Sequence, residues 1–436
     1  MRLLGYWMYT TKWTFNSGDK RMRDDVIQRF IGIPGHRVAG IYFLNEQGVE
    51  TDDDGQVAEV MVELSRMNHP FTCPCGRRFQ GYYDFRERFV RDLPWGPWGQ
   101  VYLMVPRFRV CCPDCGVKTE PLDWIPERCR YTRRLADAVA LACREVRSIQ
   151  AIAEAFGLSW DTVKGIDKAH LESDLNPPDL TGVRHLALDE FSIRRRHTYA
   201  TIFLDVERNR VLWVCRTREK QAVKDVFENV FGQSVCEGIE AVSMDWWEGY
   251  EKAVKESLPN AKVVWDLFHI VKKYNHEVVD RVRLDEAKQC QTNEERRAMK
   301  KTKFILLKNR QNLHHDEPAR LKELLAANRR LFTVHILRDV MKKLWDYKYT
   351  KSAQKWFDGW YQRAIRSRIE PLKKFARALK ERLDGILAHC SFPLHTGILE
   401  GINNKVKVIK RVAYGFRDQD YFFLKIQAHF AGTTPP

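Results

Sequence analysis

Two aspartates in this 436-residue chain close short apolar runs: Asp189 follows His-Leu-Ala-Leu, and Asp245 follows Ile-Glu-Ala-Val-Ser-Met. Runs of that length bounded by polar residues read as buried strands. Carboxylates at the ends of two adjacent strands repel, and a divalent cation relieves the repulsion. Hard oxygen donors select Mg2+ or Mn2+. With a third carboxylate the set could hold two ions about 4 Å apart, which activate a water or a 3′-hydroxyl and stabilise the leaving oxygen of a phosphodiester.

Glu400 is the candidate third acid. Around it Ile398, Ile402, Val406, Ile409 and Ala413 recur every three or four positions, which places them on one helical face. Glu400 lies about 200° round from Ile398 and heads a polar stripe with Asn404, Lys407 and Arg411. A carboxylate followed by an amide and cations suits a substrate built of phosphates. Lys405 and Lys410 add to the same basic stretch. An ordinary surface glutamate is the competing reading, and the stripe alone leaves both open. A further pair, Asp266 and His269, is spaced to share a hydrogen bond beside the metals, with Lys272 and Lys273 directly after it. A helix-capping Asp with an unrelated His is the alternative there.

Cysteines supply a second chemistry. Cys112-x-x-Cys115-Gly116 has the spacing of a zinc knuckle, and Cys73-x-Cys75-Gly76 is a shorter partner. Two such loops complete a closed four-thiolate Zn2+ site, which is structural because no coordination position stays open. Cys111 is an alternative ligand to Cys112, and free thiols in a loop are the alternative to metal. The eleven cysteines are otherwise scattered, which argues against a disulfide framework.

The elements that must position these groups follow from pattern. Residues 1–70 read as a β-rich extension, with HRVAGIYFLN and QVAEVMVEL as strands around a turn-rich stretch. Residues 71–130 read as a zinc ribbon. From Tyr131 the pattern turns helical, and residues 131–175 read as a helix-turn-helix, with Ser148 and Ser159 as N-caps and Gly157 at the turn. A docked second helix would bring Ser159, Trp160, Thr162, Lys164 and Lys168 to a major groove. A plain helical hairpin is equally compatible. After the linker NPPDLTG, residues 183–269 run β-β-β-α-β-α-β. That is the order of a ribonuclease-H-like domain, in which the first and fourth strands lie side by side and would join Asp189 to Asp245. Residues 270–390 carry only helix signals, and 391–430 return to the core with Glu400. The expected class is therefore multidomain α+β: zinc ribbon and helix-turn-helix, then a ribonuclease-H-like α/β core with a mixed five-stranded sheet, interrupted by an all-α insertion.

Charge is regional. Between Ile270 and Cys390 there are 30 Lys and Arg against 15 Asp and Glu, which accounts for +15 of the chain's net +16. An excess sustained over so long a segment favours a phosphate backbone as partner, although a solvated helical surface is the usual origin of any one basic run. No apolar run is long enough to span a bilayer, and the start lacks the pattern of a signal peptide. The expected location is cytoplasmic and nucleoid-associated, with no membrane partner.

The segments LALDEFSIRRRHTYATIFLD, VSMDWWEGYEKAVKESLPNAKVVWDLFHIVKKYN and LEGINNKVKVIKRVAYGFRDQDYF resemble the DDE transposases of bacterial insertion sequences. The similar group is the ISL-three family, and the resemblance covers roughly residues 70 to 430. It implies Asp189, Asp245 and Glu400 as catalytic triad, Asp266 and His269 as an accessory pair, and Cys73, Cys75, Cys112 and Cys115 as zinc ligands. The implied function is recognition of terminal inverted repeats in double-stranded DNA, then strand cleavage and strand transfer by a homo-oligomer. The short Cys73-x-Cys75 spacing departs from the family pattern. Two rival readings remain at this point: a non-enzymatic DNA-binding regulator, and a non-transposing nuclease of the same fold.

Overall fold

The computed structural model describes residues 31–51, 57–67, 70–95, 99–145, 147–175, 177–194, 198–308, 312–394 and 397–430. They divide into two compact units. One comprises the described residues up to Asp174 together with Ile409–Leu424; the other comprises Leu175–Val408 and the residues from Lys425.

In the first unit, β1 (His36–Leu44), β2 (Glu59–Arg66), β5 (Asp84–Asp92), β6 (Gln100–Cys112) and β7 (Gly116–Thr119) form one sheet, while β3 (Phe71–Thr72) and β4 (Arg78–Phe79) make a small hairpin. Val60, Val62 and Leu64 alternate with more exposed residues along β2, as do Val101, Leu103 and Val105 along β6. This period of two turns one face of each strand inward. The strands pair in parallel with Val60 opposite Val101, so segments on either side of residue 70 share a single sheet.

Three helices follow: α1 (Arg133–Cys143), α2 (Ile149–Phe156) and α3 (Trp160–Leu175). Ser148 and Ser159 cap as expected, and Thr132 adds a third cap. Thr132 accepts from Leu135 N, Ser148 from Ala151 N, and Ser159 from Thr162 N. Gly157 ends α2 at φ 60°, the left-handed cap position that glycine occupies without a Cβ penalty. Leu135, Val139, Ile152, Val163 and Ile166 form the core between the helices. Buried Arg91 fastens the turn to the sheet by donating to the carbonyls of Val101, Gly99 and Phe156.

In the second unit the strand order is β10-β9-β8-β11-β12, with β8 (His185–Arg194), β9 (Thr198–Asp205), β10 (Arg210–Cys215), β11 (Ala241–Met244) and β12 (Lys262–Trp265). The first three are antiparallel neighbours; β8 with β11 and β11 with β12 are parallel. All four residues of β11 are buried, as expected of a parallel strand covered on both faces. Helices α4 (Lys220–Val226) and α5 (Gly232–Gly238) lead into β11, α6 (Glu248–Ser257) links β11 to β12, and α7 (Leu267–Tyr274) leaves β12.

The segment after α7 has helices as its regular elements among the described residues: α8 (Arg281–Gln289), α9 (Asn293–Lys301), α10 (Lys303–Leu307), α11 (Glu317–Ala327), α12 (Arg329–Lys342), α13 (Thr350–Arg366), α14 (Glu370–Glu381) and α15 (Leu383–Leu387). Tyr274, Phe357, Trp360, Leu372 and Phe375 anchor its core, which is continuous with that of the sheet. Buried Arg338 donates to the Leu306 carbonyl at 2.8 Å, one of the contacts that satisfy a charge in this interior. Helix α16 (Gly397–Val412) carries Glu400, and α17 (Gln419–His429) closes the described chain.

Candidate functional site

Register places the two aspartates. Leu188 stands opposite Met244 in the parallel β8–β11 pair, so Asp189 and Asp245 come next on adjacent strands, about 4.8 Å apart along the ladder and on the same face. Asp189 is 5% exposed. Its Oδ1 accepts from Glu190 N at 2.8 Å, and its Oδ2 accepts from Asn403 Nδ2 of α16 at 2.7 Å. His269 Nε2 lies 3.9 Å from Asp189 Oδ1, and His269 Nδ1 bonds Asp266 Oδ2 at 2.9 Å. Asp266 also caps α7 by accepting from Phe268 N. One carboxylate thus both starts the helix and orients the imidazole on its first turn.

The electrostatics are those of acids crowded away from water. Burial pushes the Asp245 carboxyl up to about 6, with Glu190 and Asp189 reinforcing the effect and His269 opposing it. Burial also raises Asp189. For His269 burial acts downward, but the bond and charge of Asp266, with the charges of Asp189 and Asp245, raise it overall. Asp245 Oδ1 and Asn403 Oδ1 are buried oxygens without a hydrogen-bond partner. Orphaned acceptors of this kind are costly, and lone-pair oxygens beside a desolvated carboxylate are the donor set a hard dication takes. The residues present fit Mg2+ or Mn2+.

Glu400 is exposed on the first turn of α16. It sits three residues before Asn403, hence one turn and about 4.5 Å of rise from the residue that touches Asp189. The side chains of Asp189, Asp245 and Glu400 do not all come within 4.8 Å of one another. Asn403 was not among the sequence-derived residues. Its signal was its place three after Glu400, which a helical wheel gives as readily to Asn404, four after. Asn404 instead accepts from Lys407 Nζ at 3.1 Å. Arg218 was also missed: it pairs with Glu190 at 2.8 Å and lies over the rings of Tyr199 and Trp247 at 4.5 and 4.4 Å. Only the burial and charge around β8 single it out.

The basic residues have varied settings. Lys272 is exposed, whereas Lys273 pairs with Glu277 at 3.1 Å and lies over Trp246. On α16, Lys407 and Arg411 are exposed and Lys405 and Lys410 half-buried. In the helix-turn-helix, Ser159 caps α3 and shares a hydroxyl bond with Thr162, and Trp160 is 45% exposed. Lys164 and Lys168 both reach Asp418, at 3.2 and 3.1 Å. The Tyr421 hydroxyl bonds the buried Asp167 of the same helix.

The four thiols converge. The sulfurs of Cys73, Cys75, Cys112 and Cys115 lie within 4.8 Å of one another, the one such cluster among the described residues. Cys75 Sγ is 3.8 Å from Cys112 Sγ, the edge of a tetrahedron whose metal–sulfur bonds are about 2.3 Å. The short Cys73-x-Cys75 spacing works because the loop between β3 and β4 reverses sharply: Gly76, at φ 87°, donates its N–H to the Cys73 carbonyl. Gly116 repeats the positive φ after Cys115. Cys112 is buried and Cys111 exposed, which chooses between them. Without a cation the thiols conflict. The Arg77 amide and its thiol neighbours draw Cys75 down to about 7, and a hydrogen bond with Cys75 together with burial pushes Cys115 up to about 12. A dication removes that conflict, so the set fits a four-thiolate metal site.

No helix among the described residues is long and apolar enough to cross a membrane. A family model described as "Transposase" matches residues 186–426, more than half of the chain, and one described as the helix-turn-helix domain of transposase family ISL3 matches residues 120–171. The transposase for insertion sequence element IS1001 of Bordetella parapertussis is 43% identical over 360 residues, which cover 82% of this chain and 88% of that one. The transposase for insertion sequence element IS1557 of Mycobacterium tuberculosis is 26% identical over 416 residues, 88% of this chain and 92% of its own. Among solved structures, the Drosophila P element transposase strand transfer complex matches at TM-score 0.33 and 12% identity over 69% of this chain and 92% of that one, too low a score to carry weight. By the extent of the family match and the 43% identity to a relative covered nearly end to end, the chain belongs to the ISL3 family of insertion-sequence transposases and carries that family's helix-turn-helix domain.

Proposed function

We propose that this transposase binds the terminal inverted repeats of its element, nicks there with water, and joins the freed 3′-hydroxyls to target DNA, using Asp189, Asp245 and Glu400 in a ribonuclease-H-like core. The observation that carries the reading is the side-by-side placement of Asp189 and Asp245, with Asp245 Oδ1 and Asn403 Oδ1 left without hydrogen-bond partners. Bound by these acids, two Mg2+ or Mn2+ ions would supply an activated oxygen nucleophile and charge neutralisation at the leaving oxygen. The chain's own groups do the rest. Asn403 and Glu190 N hold the Asp189 carboxylate in one orientation. Asp266 fixes the His269 ring so that Nε2 faces Asp189, where it can donate to a phosphate oxygen. Arg218, over the rings of Tyr199 and Trp247 and paired with Glu190, holds a cation near the carboxylates.

The four thiolates would hold a structural Zn2+ in a ribbon over 71–130, ahead of the DNA-binding helices of 131–175. The basic insertion of 270–390, with Lys272 and Lys273 at its start, would lie along the DNA backbone, and Lys405, Lys407, Lys410 and Arg411 would hold phosphates as well. Two element ends call for a homo-oligomer on DNA, acting on the nucleoid in the cytoplasm. The test is to incubate the purified chain and Mg2+ with linear DNA carrying the element end and to map nicks. Asp189→Asn is expected to abolish nicking while sparing binding; nicking retained by that variant refutes the assignment.

A further inference from the structure

The sheet of the first unit gathers arginines on one face of β5 and β6. Strand β5 pairs with β6 so that Asp84 faces Arg109, Arg86 faces Arg107 and Arg88 faces Val105. Alternate residues share a face, so Arg86, Arg88, Arg107 and Arg109 stand together. Like charges directly opposite one another destabilise a ladder, yet Arg86 and Arg107 are so placed. Asp84 compensates Arg109, with Nε to Oδ1 at 2.6 Å. Arg86 and Arg88 are exposed, and no carboxylate of the described residues lies within ion-pair distance of them. Arg107 is held by the Glu120 carbonyl; burial lowers its basicity, the Glu120 charge opposes this, and the charge of Arg88 lowers it further.

This face is one wall of a groove of about 950 Å³ whose other wall is the connector from Pro121 to Arg133. That wall contributes Arg128, Arg130 and Arg133. Arg128 is held at φ 61°, a left-handed conformation that costs a non-glycine residue energy and tends to be retained where it serves a site. Three acids also line the groove, Glu120, Asp123 and Glu127. Glu120 is already engaged by Arg66, at 3.0 Å between Nη2 and Oε1, and by Thr72 N, while Glu127 stands 3.8 Å from Arg128 with both side chains almost fully exposed. Arginines drawn from two walls, with two placed opposite each other in the ladder, are explained by an anion between them.

We propose that this groove binds the phosphate backbone of double-stranded DNA, independently of sequence. Guanidinium forks match phosphate oxygens two at a time, and phosphate contacts fix register without reading bases. The inference rests on the reading of the chain as a DNA transposase and adds the β5–β6 face, with the connector that opens the helix-turn-helix region, to the second helix and the acids.

The test measures full-length protein binding to two duplexes, one carrying the element end and one scrambled, over a salt series. The Arg86→Ala, Arg88→Ala double variant is expected to weaken both complexes by the same factor and to lower the slope of log K against log salt by roughly 1 to 2. Arg130→Ala on the opposite wall is expected to act in the same direction. The Arg86→Lys, Arg88→Lys double variant is expected to keep the slope, which a folding defect would not do. An unchanged slope and affinity in both alanine variants overturns the groove; continued nicking of end DNA by the parent protein then leaves the transposase reading standing. A parent protein that binds neither duplex overturns both.

Discussion

Asn403 donates its side-chain amide to Asp189 Oδ2 at 2.7 Å, while its own Oδ1 is buried without a hydrogen-bond partner. One amide therefore joins the helix of Glu400 to the strand of Asp189 and turns a lone pair into the interior. Residues that orient a metal-binding carboxylate typically change affinity or activity by about 10- to 100-fold when removed. Asn403→Ala is expected to lower nicking by about that factor and to raise the Mg2+ concentration for half-maximal rate, with DNA affinity unchanged. The binding of Tb3+, read by its luminescence, should weaken in parallel. A variant with parental rate and parental metal dependence would remove Asn403 from the site.

The thiol cluster gives a prediction independent of catalysis. Co2+ substituted into four thiolates gives a tetrahedral, sulfur-rich absorption spectrum, and Cys75→Ser leaves three sulfurs for it. The purified chain is expected to hold one Zn2+, to melt lower after chelation, and to regain its melting temperature when Zn2+ is restored. Cys111→Ser, at the exposed neighbouring thiol, is expected to change none of these. A Co2+ spectrum and a melting temperature both unaltered by Cys75→Ser would remove Cys75 from the ligand set.

Local signals carried the positions of the acids and thiols, and non-local pairing hid what surrounds them. Asp189 and Asp245 were legible because an apolar run followed by an acid marks a strand end, and one parallel register then aligns both ends. Cys115 and Cys75 were legible through their glycines, whose positive φ closes each knuckle. That residues on either side of position 70 share one sheet was not, because β2 pairs with β6 in parallel across the β3–β4 hairpin and β5 and no local pattern encodes such a partner. Asn403 and Asn404 are indistinguishable on a wheel until the packed flank of α16 is known. Lys164 and Lys168 read as groove cations; Asp418, the acid they share, lies 250 residues beyond Lys168.

Gly157 fixes the turn between α2 and α3. Its φ of 60° suits glycine, and a Cβ there would sit 3.0 Å from Arg91 Nη2, the guanidinium that binds three carbonyls around the turn. Gly157→Ala is expected to cost about 1 kcal/mol or more through backbone strain and displacement of Arg91. The measurement is thermal unfolding. A melting temperature within error of the parent would show that the turn relaxes freely.

Asp418 caps α17 through Tyr421 N and pairs with Lys164 and Lys168. Burial alone would raise its carboxyl, but the Tyr421 amide and the two lysines outweigh burial and hold it down at about 2. An aspartate depressed in the folded state stabilises the fold above its unfolded value of about 4, and that stability is lost as pH falls toward 2. Asn caps as well as Asp, so Asp418→Asn removes the charge and keeps the cap. The variant is expected to lose about 1 kcal/mol at neutral pH, the scale of partly exposed ion pairs, with the deficit shrinking as pH is lowered from 4 toward 2. High salt should shrink it as well, because screening weakens the parent pairs. A deficit constant across pH and salt would mean that the lysines and Asp418 are neighbours without a working ionic bond.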